Sequence, residues 1–564
     1  MNKNNWTYAL RLGFVKRYLL LLCISFFGLS LQAQISHGGV PASFQYEQAD
    51  DTETAYAPAI PYSLTKNEAI TKQCTAYKFG EILPFGKKRS EFGTEKIDSR
   101  GNSIWKATIT SEGALALGLY FTDFYLPKGA KLFIYSPDKE QIIGSFTENN
   151  NSESGLFATE LILGDKLIIE YNEPASVRGK GRFTLNEVLH AYRGVSDLKS
   201  SMDFGDSGSC EVNVNCSEGA DYNNQKNSVV RLLIKEGNSA FWCTGSVINN
   251  VNNNLTPFIL TADHCGSEAT TTDLNQWVFY FNYQSNDCSN PLIAPTPNTM
   301  TGCTKLAASS NAGILGSDFY LVLLKQNIPT EYNPYFMGWD RSGLGSTNGV
   351  SIHHPQGDIK KISTYTTALS SATYTSNGYN GLTNGSWEVV WSETLNGHGV
   401  TEGGSSGCPI YSQDGFLIGT LTGGWAACSN LSGKDYYGKF NYHWDKNGDT
   451  PDTQLKPWLD PNNTGATQIS GFPLSTESIP ISPADFYTLF PNPSNGDIKI
   501  QFNADAFGKS YTIRVSNMLG QSVYQENKTI YKQVNLNLQH LQSGVYFVEI
   551  EGNTQRQTQK ISIQ

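Results

Sequence analysis

Residues 401–411, Thr-Glu-Gly-Gly-Ser-Ser-Gly-Cys-Pro-Ile-Tyr, restrict what the chain can form more than any other stretch. Gly403, Gly404 and Gly407 allow backbone angles closed to other residues, and Pro409 ends the turn just before the β-type run Ile410–Tyr411. The segment therefore reads as a tight turn entering a strand, with the hydroxyls of Ser405 and Ser406 in a glycine bracket. Core packing does not require that arrangement. A serine held out on such a turn has neighbouring N–H groups directed at whatever its oxygen attacks. Serine is a poor nucleophile alone, so this reading needs a base from elsewhere in the chain, and without one the segment is a glycine–serine surface loop.

The 53 glycines, with abundant Asn, Ser and Thr, favour turn-rich β structure over helical bundles. At 564 residues the chain is too long for one core, and three or four domains are expected. A net charge of −10 and the lack of a Lys/Arg-rich tract argue against a nucleic-acid partner. Residues 1–34 read as a signal peptide: Lys3, Arg11, Lys16 and Arg17 precede an apolar run from Tyr18 to Leu31, and Leu31-Gln32-Ala33 forms a cleavage site. The run is short for a membrane span. Export removes Cys23 and leaves nine of the ten cysteines, most of which should pair in an oxidising compartment.

From 35 to about 100 the chain is polar and irregular, with Pro41, Pro58, Pro61, Pro84 and the isolated Cys74, and no chemistry is assigned to it. From Ile104, strand-length segments alternate with turn signals: Ile104–Ile109, Ala114–Phe121, Lys131–Tyr135, Leu156–Leu163 and Lys166–Tyr171. They predict a small β-sandwich over about 101–194, a folding or inhibitory pro-domain rather than a second active site. Ser228–Ile234 and Phe241–Cys265 read as strand, turn, strand, ending Phe258-Ile-Leu-Thr-Ala-Asp-His-Cys265. His264, fixed between an apolar strand and a half-cystine, is a well-placed base. Asp263 could orient it, but sequence neighbours on extended backbone face opposite ways. Asp318, in Gly316-Ser-Asp-Phe-Tyr-Leu-Val-Leu-Leu324, opens an apolar strand where a carboxylate is costly unless paired, and is the better partner.

Thr261-Ala-Asp-His-Cys265, Ser317-Asp-Phe319 and Gly404-Ser-Ser-Gly-Cys-Pro409 together resemble the His, Asp, Ser order of chymotrypsin-like serine proteases, and among them the bacterial lysyl endopeptidases. The similarity covers about 205–470 and includes Cys243-Thr-Gly-Ser246, Phe281-Asn-Tyr-Gln284, Gly338-Trp-Asp-Arg341, Ile352-His-His-Pro355, Gly399-Val-Thr-Glu402 and Lys456-Pro-Trp-Leu-Asp-Pro461. It implies a double β-barrel with the site in the cleft between barrels. It also implies Ser406 as nucleophile, His264 as base and Asp318 as its orienting carboxylate, with an oxyanion hole from the N–H groups of Gly404 and Ser406. Ser405 stands where the clan usually has Asp. The earlier Gly205-Asp-Ser-Gly208 carries the clan's serine signature, but it precedes every candidate histidine and no Gly-Pro follows; Ser207 is read as part of a flexible junction.

The resemblance further implies disulfides Cys243–Cys265, Cys216–Cys288 and Cys210–Cys428. Parity alone suggests a fourth, Cys303–Cys408. Leu421-Thr-Gly-Gly424 resembles the strand that lines the primary pocket, which makes Thr422, Gly423 and Gly424 substrate-binding residues. Asp435, in Asp-Tyr-Tyr-Gly438, resembles the pocket-floor carboxylate that binds a substrate lysine. The family's best-studied form has a histidine where Thr422 stands, so arginine stays open beside lysine. His353 and His354, adjacent on a strand, cannot both face one ion and are read as structural; no metal or cofactor is expected. Beyond a linker at 473–485, Leu489-Phe-Pro-Asn-Pro-Ser-Asn-Gly496 and Leu541-Gln-Ser-Gly-Val-Tyr-Phe-Val548 resemble the C-terminal sorting domain of the type IX secretion system.

The expected architecture is all-β: signal peptide (1–34), β-rich pro-region (35–204), protease domain (205–472), linker (473–485) and a small C-terminal β-sandwich (486–564). The expected protein is a secreted or cell-surface endopeptidase acting after lysine through an acyl-enzyme. Its expected partners are protein or peptide substrates and the secretion machinery, with membrane contact only transient or through an attached anchor. Lys199, in Asp197-Leu-Lys-Ser-Ser201, suits self-cleavage between pro-region and Cys210. The alternatives are a trypsin-like enzyme accepting Lys and Arg equally, and an inactive surface adhesin on the same fold.

Overall fold

A computed structural model describes residues 36, 38–45, 53–57, 76–195, 206–291, 295–309, 315–376, 379–474, 487–502, 510–518, 521–530, 533–552 and 556–564. The signal peptide, Cys74, Lys199 and most of the 473–485 linker lie outside them. No helix among the described residues is long and apolar enough to cross a membrane.

Two sheets make the N-terminal module. In one, Thr54–Tyr56, Ser103–Thr110, Lys166–Glu173, Lys131–Tyr135 and Ile142–Phe146 are neighbours in that order, with Thr94–Ile97 pairing Ser103–Thr110. The other contains Tyr77–Lys88, Arg182–Ala191 and Ala116–Tyr125. Trp105, Ile109, Leu119, Phe121, Leu132, Ile134, Ile169 and Leu185 fill the space between them. Leu156–Leu163, expected as one strand, is two short ones, Phe157–Ala158 and Ile162–Leu163.

Tyr77–Lys88 is a twelve-residue strand inside the stretch read as irregular. Gly80, Pro84 and Gly86 conceal the alternation that marks a strand. Pro84, which has no N–H for a ladder, sits opposite Glu187 beside a bulge in the neighbouring strand. This strand also pairs with Ser239–Ile248, a strand of the next domain, so one twelve-stranded sheet runs through both.

Ser239–Ile248 belongs to a first barrel with Val229–Glu236, Phe258–Thr261, Val278–Phe281, Asn298–Thr301, Cys303–Ala308 and Tyr320–Leu324. The last two segments before Tyr320 are one extended run bent at Gly302 (φ +86), which links the sheet's two ends and closes the ring. Val230, Leu232, Val247, Ile259, Trp277, Phe279 and Val322 form its core. The second barrel orders Val212–Asn213, Lys361–Tyr365, Gly349–His353, Pro409–Tyr411, Leu417–Gly424, Lys434–Lys439, Ser386–Val390 and Ser370–Ala372. Ile248, Leu260, Phe319 and Leu321 of the first barrel pack with Trp339, Ile352, Tyr411 and Leu417 of the second. Pro473 and Leu474, expected in the linker, are tied to the first barrel: Phe472–Pro473 pairs Tyr335–Phe336, and Leu474 N–H donates to Pro334 O at 3.0 Å.

Disulfides join Cys210 to Cys428, Cys216 to Cys288 and Cys243 to Cys265. The fourth bridge is not formed. Cys303 and Cys408 are buried free thiols in the cores of different barrels, Cys303 beside Leu274 O (3.5 Å) and Cys408 beside Ser351 Oγ (3.2 Å). Parity counts cysteines but does not say which core each one enters. At the C terminus, Tyr487–Phe490, Asp497–Phe502 and Gln533–Asn537 face a four-stranded sheet of Ser522–Thr529, Ser510–Asn517, Gly544–Glu551 and Arg556–Ile563 across a separate core.

Candidate active site

Strand register brings two of the expected site residues together. Thr261 pairs with Tyr320, so His264, in the turn after one strand, and Asp318, in the turn before the other, meet at the same end of the ladder. Asp318 takes φ +60, which suits a short polar side chain that bonds locally. Its Oδ2 lies 2.8 Å from His264 Nδ1, and its Oδ1 accepts the His264 backbone N–H at 3.0 Å. Two bonds to one residue fix the imidazole's position and rotation, and leave Nε2 as the nitrogen not bonded to Asp318. His264 Nε2 is buried and has no protein partner. Asp263, the rival carboxylate, instead accepts from Ser309 Oγ at 3.3 Å.

Burial opposes charge on both groups, and their mutual attraction prevails. Burial alone would lower the His264 pKa, but the Asp318 charge and hydrogen bond, together with Asp263, raise it above the ordinary 6.5. Asp318 is held below the usual carboxylate range: against burial act the His264 charge, both His264 bonds and a hydrogen bond from the Thr422 hydroxyl. Thr422, expected on the pocket wall, thus turns its hydroxyl to Asp318. Behind the carboxylate, Ser317 Oγ lies 2.7 Å from His443 Nδ1 and accepts from Asn447 Nδ2 at 2.9 Å, while His443 Nε2 lies 3.0 Å from Thr420 Oγ1. Burial lowers His443 to about 3, so this support is neutral. Nothing in the sequence pointed to His443 or Asn447, which join residues 126 and 130 positions away.

The serine turn abuts the histidine segment. Gly404 and Gly407 have φ of +92 and +79. A Cβ on Gly407 would lie 2.2 Å from Thr261 Oγ1 and 2.6 Å from Ala262 N, so only glycine allows this approach. Thr244 staples the turn to the first barrel, its N–H donating to Ser406 O and its hydroxyl to Gly404 O, both at 2.9 Å. Cys265 Sγ, held by its disulfide, lies 3.7 Å from Ser406 O. The N–H groups of Ser405, Gly407 and Cys408 are bonded to Glu402 O, Leu421 O and Ser405 O. Among the described residues, those of Gly404 and Ser406 have no protein acceptor, as an oxyanion site requires.

The structure separates the two serines. Ser405 is fully buried, accepts the Glu402 N–H at 3.2 Å and lies 2.8 Å from His353 Nδ1. His353 Nε2 lies 2.9 Å from Ser363 Oγ, whose hydroxyl donates to Val400 O. Ser363 can then only accept, so Nε2 carries the His353 proton and Nδ1 accepts from Ser405. Burial and the Lys361 charge lower His353 to about 3. His354, also held neutral by burial, has its Nδ1 2.9 Å from Asp358 O. Both histidines are bound to the fold, and no cluster of metal-ligating side chains occurs among the described residues.

Asp435 is buried on Lys434–Lys439, opposite Gly424 in the ladder. Trp391 Nε1 and Thr401 Oγ1 each donate to its Oδ2 at 2.7 Å, and Ala426 N donates to Oδ1 at 3.2 Å. A Cβ on Gly424 would lie 2.1 Å from Asp435 Oδ1, so this glycine keeps the carboxylate uncovered on that side. Leu417–Gly424 pairs on its other edge with Pro409–Tyr411, directly after the serine turn.

Two packed barrels, a His–Asp pair at one ladder end and a glycine-bracketed serine between them define a domain of the chymotrypsin-like serine-protease class. Residues 204–438 match the family described as lysyl endopeptidase, C-terminal domain, and residues 488–564 match the secretion system C-terminal sorting domain. The chain therefore carries a segment similar to the lysyl endopeptidase C-terminal domain together with a secretion sorting domain, and it is a secreted or cell-surface protein. A lysyl endopeptidase of Pseudomonas aeruginosa is 26% identical over 294 residues, 50% of this chain and 60% of that protein. The chain thus spans less than two thirds of that relative. Secreted RxLR effector protein 73 of Plasmopara viticola is 24% identical over 340 residues, 57% of this chain and 78% of that one. Among solved structures, the protease Anisep from Arthrobacter nicotinovorans is 17% identical with a TM-score of 0.25, covering 38% of this chain and 90% of its own. A Glu endopeptidase in complex with MPD is 18% identical with the same score, covering 41% and 92%.

Proposed function

We propose that the chain is a secreted serine endopeptidase that hydrolyses peptide bonds on the carboxyl side of lysine. The observation that carries the reading is the doubly bonded His264–Asp318 pair beside the Ser406 turn, with the Gly404 and Ser406 N–H groups unused. Ser406 Oγ attacks the scissile carbonyl while His264 Nε2 takes its proton, and the developing oxyanion is received by those two N–H groups. Collapse expels the amine, which takes the proton from His264, and leaves Ser406 acylated. Water, activated by the same nitrogen, then releases the acid. Asp318 stays ionised, holds Nδ1–H and stabilises the imidazolium.

Lysine preference rests on Asp435, held by Trp391, Thr401 and Ala426 at one end of the Leu417–Gly424 strand whose other edge adjoins the nucleophile turn. A fixed carboxylate in an apolar setting favours a cationic side chain and disfavours any other. The test is a digest of a denatured protein by the processed enzyme, with the new carboxyl termini read by mass spectrometry. Cleavage after lysine alone is expected. Cleavage after lysine and arginine alike would keep the protease and discard the narrow preference; no cleavage by a folded, processed chain would discard the enzyme.

A further inference from the structure

We propose that residues 76–195 are a retained subunit: cutting the 196–205 link yields a two-chain molecule in which this module stays bound to the first barrel. The Tyr77–Lys88 strand is internal to the shared sheet, with Arg182–Ala191 on one edge and Ser239–Ile248 on the other. Tyr77 pairs with Trp242, Lys78 with Phe241, Gly80 with Ala240 and Glu81 with Ser239, and Ile82 N donates to Asn238 O at 2.8 Å. Departure of the module would strip those backbone groups of their partners along a barrel edge.

The side chains across the seam form one core. Phe79, fully buried, stacks on fully buried Trp242 at 4.2 Å between ring centroids, and Leu189 and Ala191 pack with Leu233 and Val278 of the first barrel and with Ile359, from the connection between two strands of the second. Polar contacts surround it. Trp242 Nε1 donates to Gly194 O at 2.9 Å, Gln276 Nε2 to Phe121 O at 3.3 Å, and Thr301 Oγ1 to Ala158 O at 3.3 Å; Lys235 pairs with Glu187. An interface with a buried aromatic centre, a shared sheet and surrounding polar contacts is that of a permanent complex rather than a transient one.

Two further contacts show that cleavage need not loosen it. The ends of the link already meet, since the Asp206 carboxylate accepts the N–H groups of Gly194 and Val195. The module also reaches the turn that carries the nucleophile. The Tyr77 ring lies against Gly403, where a Cβ would be 2.7 Å from its Cδ2, and Tyr77 Oη bonds Gln356 Oε1 at 3.3 Å, while Gln356 N donates to Gly403 O.

The test uses the full chain as Ser406→Ala, with a recognition site for an unrelated protease inserted in 196–205, so that it does not depend on the chain's own activity. After complete cutting, both chains are expected in one gel-filtration peak, in equal amounts, down to about nanomolar concentration. Elution of the barrels alone overturns the proposal. In a second variant, Glu187→Lys sets two ammonium groups against each other at the seam and is expected to shorten the complex's lifetime at least ~30-fold, measured by exchange between labelled and unlabelled cut complexes. An unchanged lifetime overturns the assigned interface.

Discussion

In the proposed mechanism His264 sets the pH dependence. Asp318 lifts its pKa above 6.5, and catalysis needs the neutral imidazole, so kcat/KM is expected to fall as pH drops through that raised value and to be full above it. With Asp318→Asn the lift is gone and burial prevails, so the midpoint should move to lower pH while kcat drops about 10⁴-fold through loss of the correct tautomer. A pH–rate profile of both forms checks the sign. Ser406→Ala should lower kcat about 10⁶-fold, and a variant keeping a tenth of the activity would remove Ser406 as the nucleophile. Thr422 was expected to shape the pocket, yet its hydroxyl supports Asp318. Thr422→Val is therefore expected to reduce kcat about tenfold or more, the cost of one hydrogen bond to a charged group, with an unchanged ratio of Lys to Arg cleavage. A shifted ratio would return it to the pocket wall.

Among the elements, the serine turn depends on glycine for two separate reasons, a left-handed backbone and contact with the histidine segment. Gly407→Ala meets both, since φ is +79 and its Cβ would fall 2.2 Å from Thr261 Oγ1. The expected outcome is a lower Tm and loss of most activity together, because relief requires the turn and the Thr261–His264 segment to part. The Cys243–Cys265 disulfide, spanning 22 positions, fastens the same segment to Ser239–Ile248. Replacing both cysteines by serine is expected to cost about 3 kcal/mol in denaturant unfolding.

For the whole molecule, the C-terminal sandwich has its own core, so deleting residues 488–564 should leave the thermal transition of the barrels in place while the chain no longer reaches the cell surface or the medium, as read by fractionation. Much of this organisation was legible in the sequence. His264, Asp318 and the serine turn each announce themselves by local chemistry: a base at a strand end, a carboxylate before an apolar run, a glycine bracket. Turn signals marked most strands of the N-terminal sandwich, and short motifs marked the sorting domain. What the sequence did not disclose lies in contacts between distant segments. The Tyr77–Lys88 strand was hidden by its glycines and proline, and is a strand because two neighbours hold it. Cys303 and Cys408 looked like a pair until each entered a separate core. His443, Asn447 and Thr244 carry no local mark, since a hydrogen-bond partner from another part of the chain is defined only by where both ends arrive. Residue types and their spacing carry the chemistry available and the order in which it is presented. Which core each free thiol enters, and which distant side chains support the His264–Asp318 pair, was settled by the folded chain alone, because those contacts depend on strand register and on the closure of two barrels.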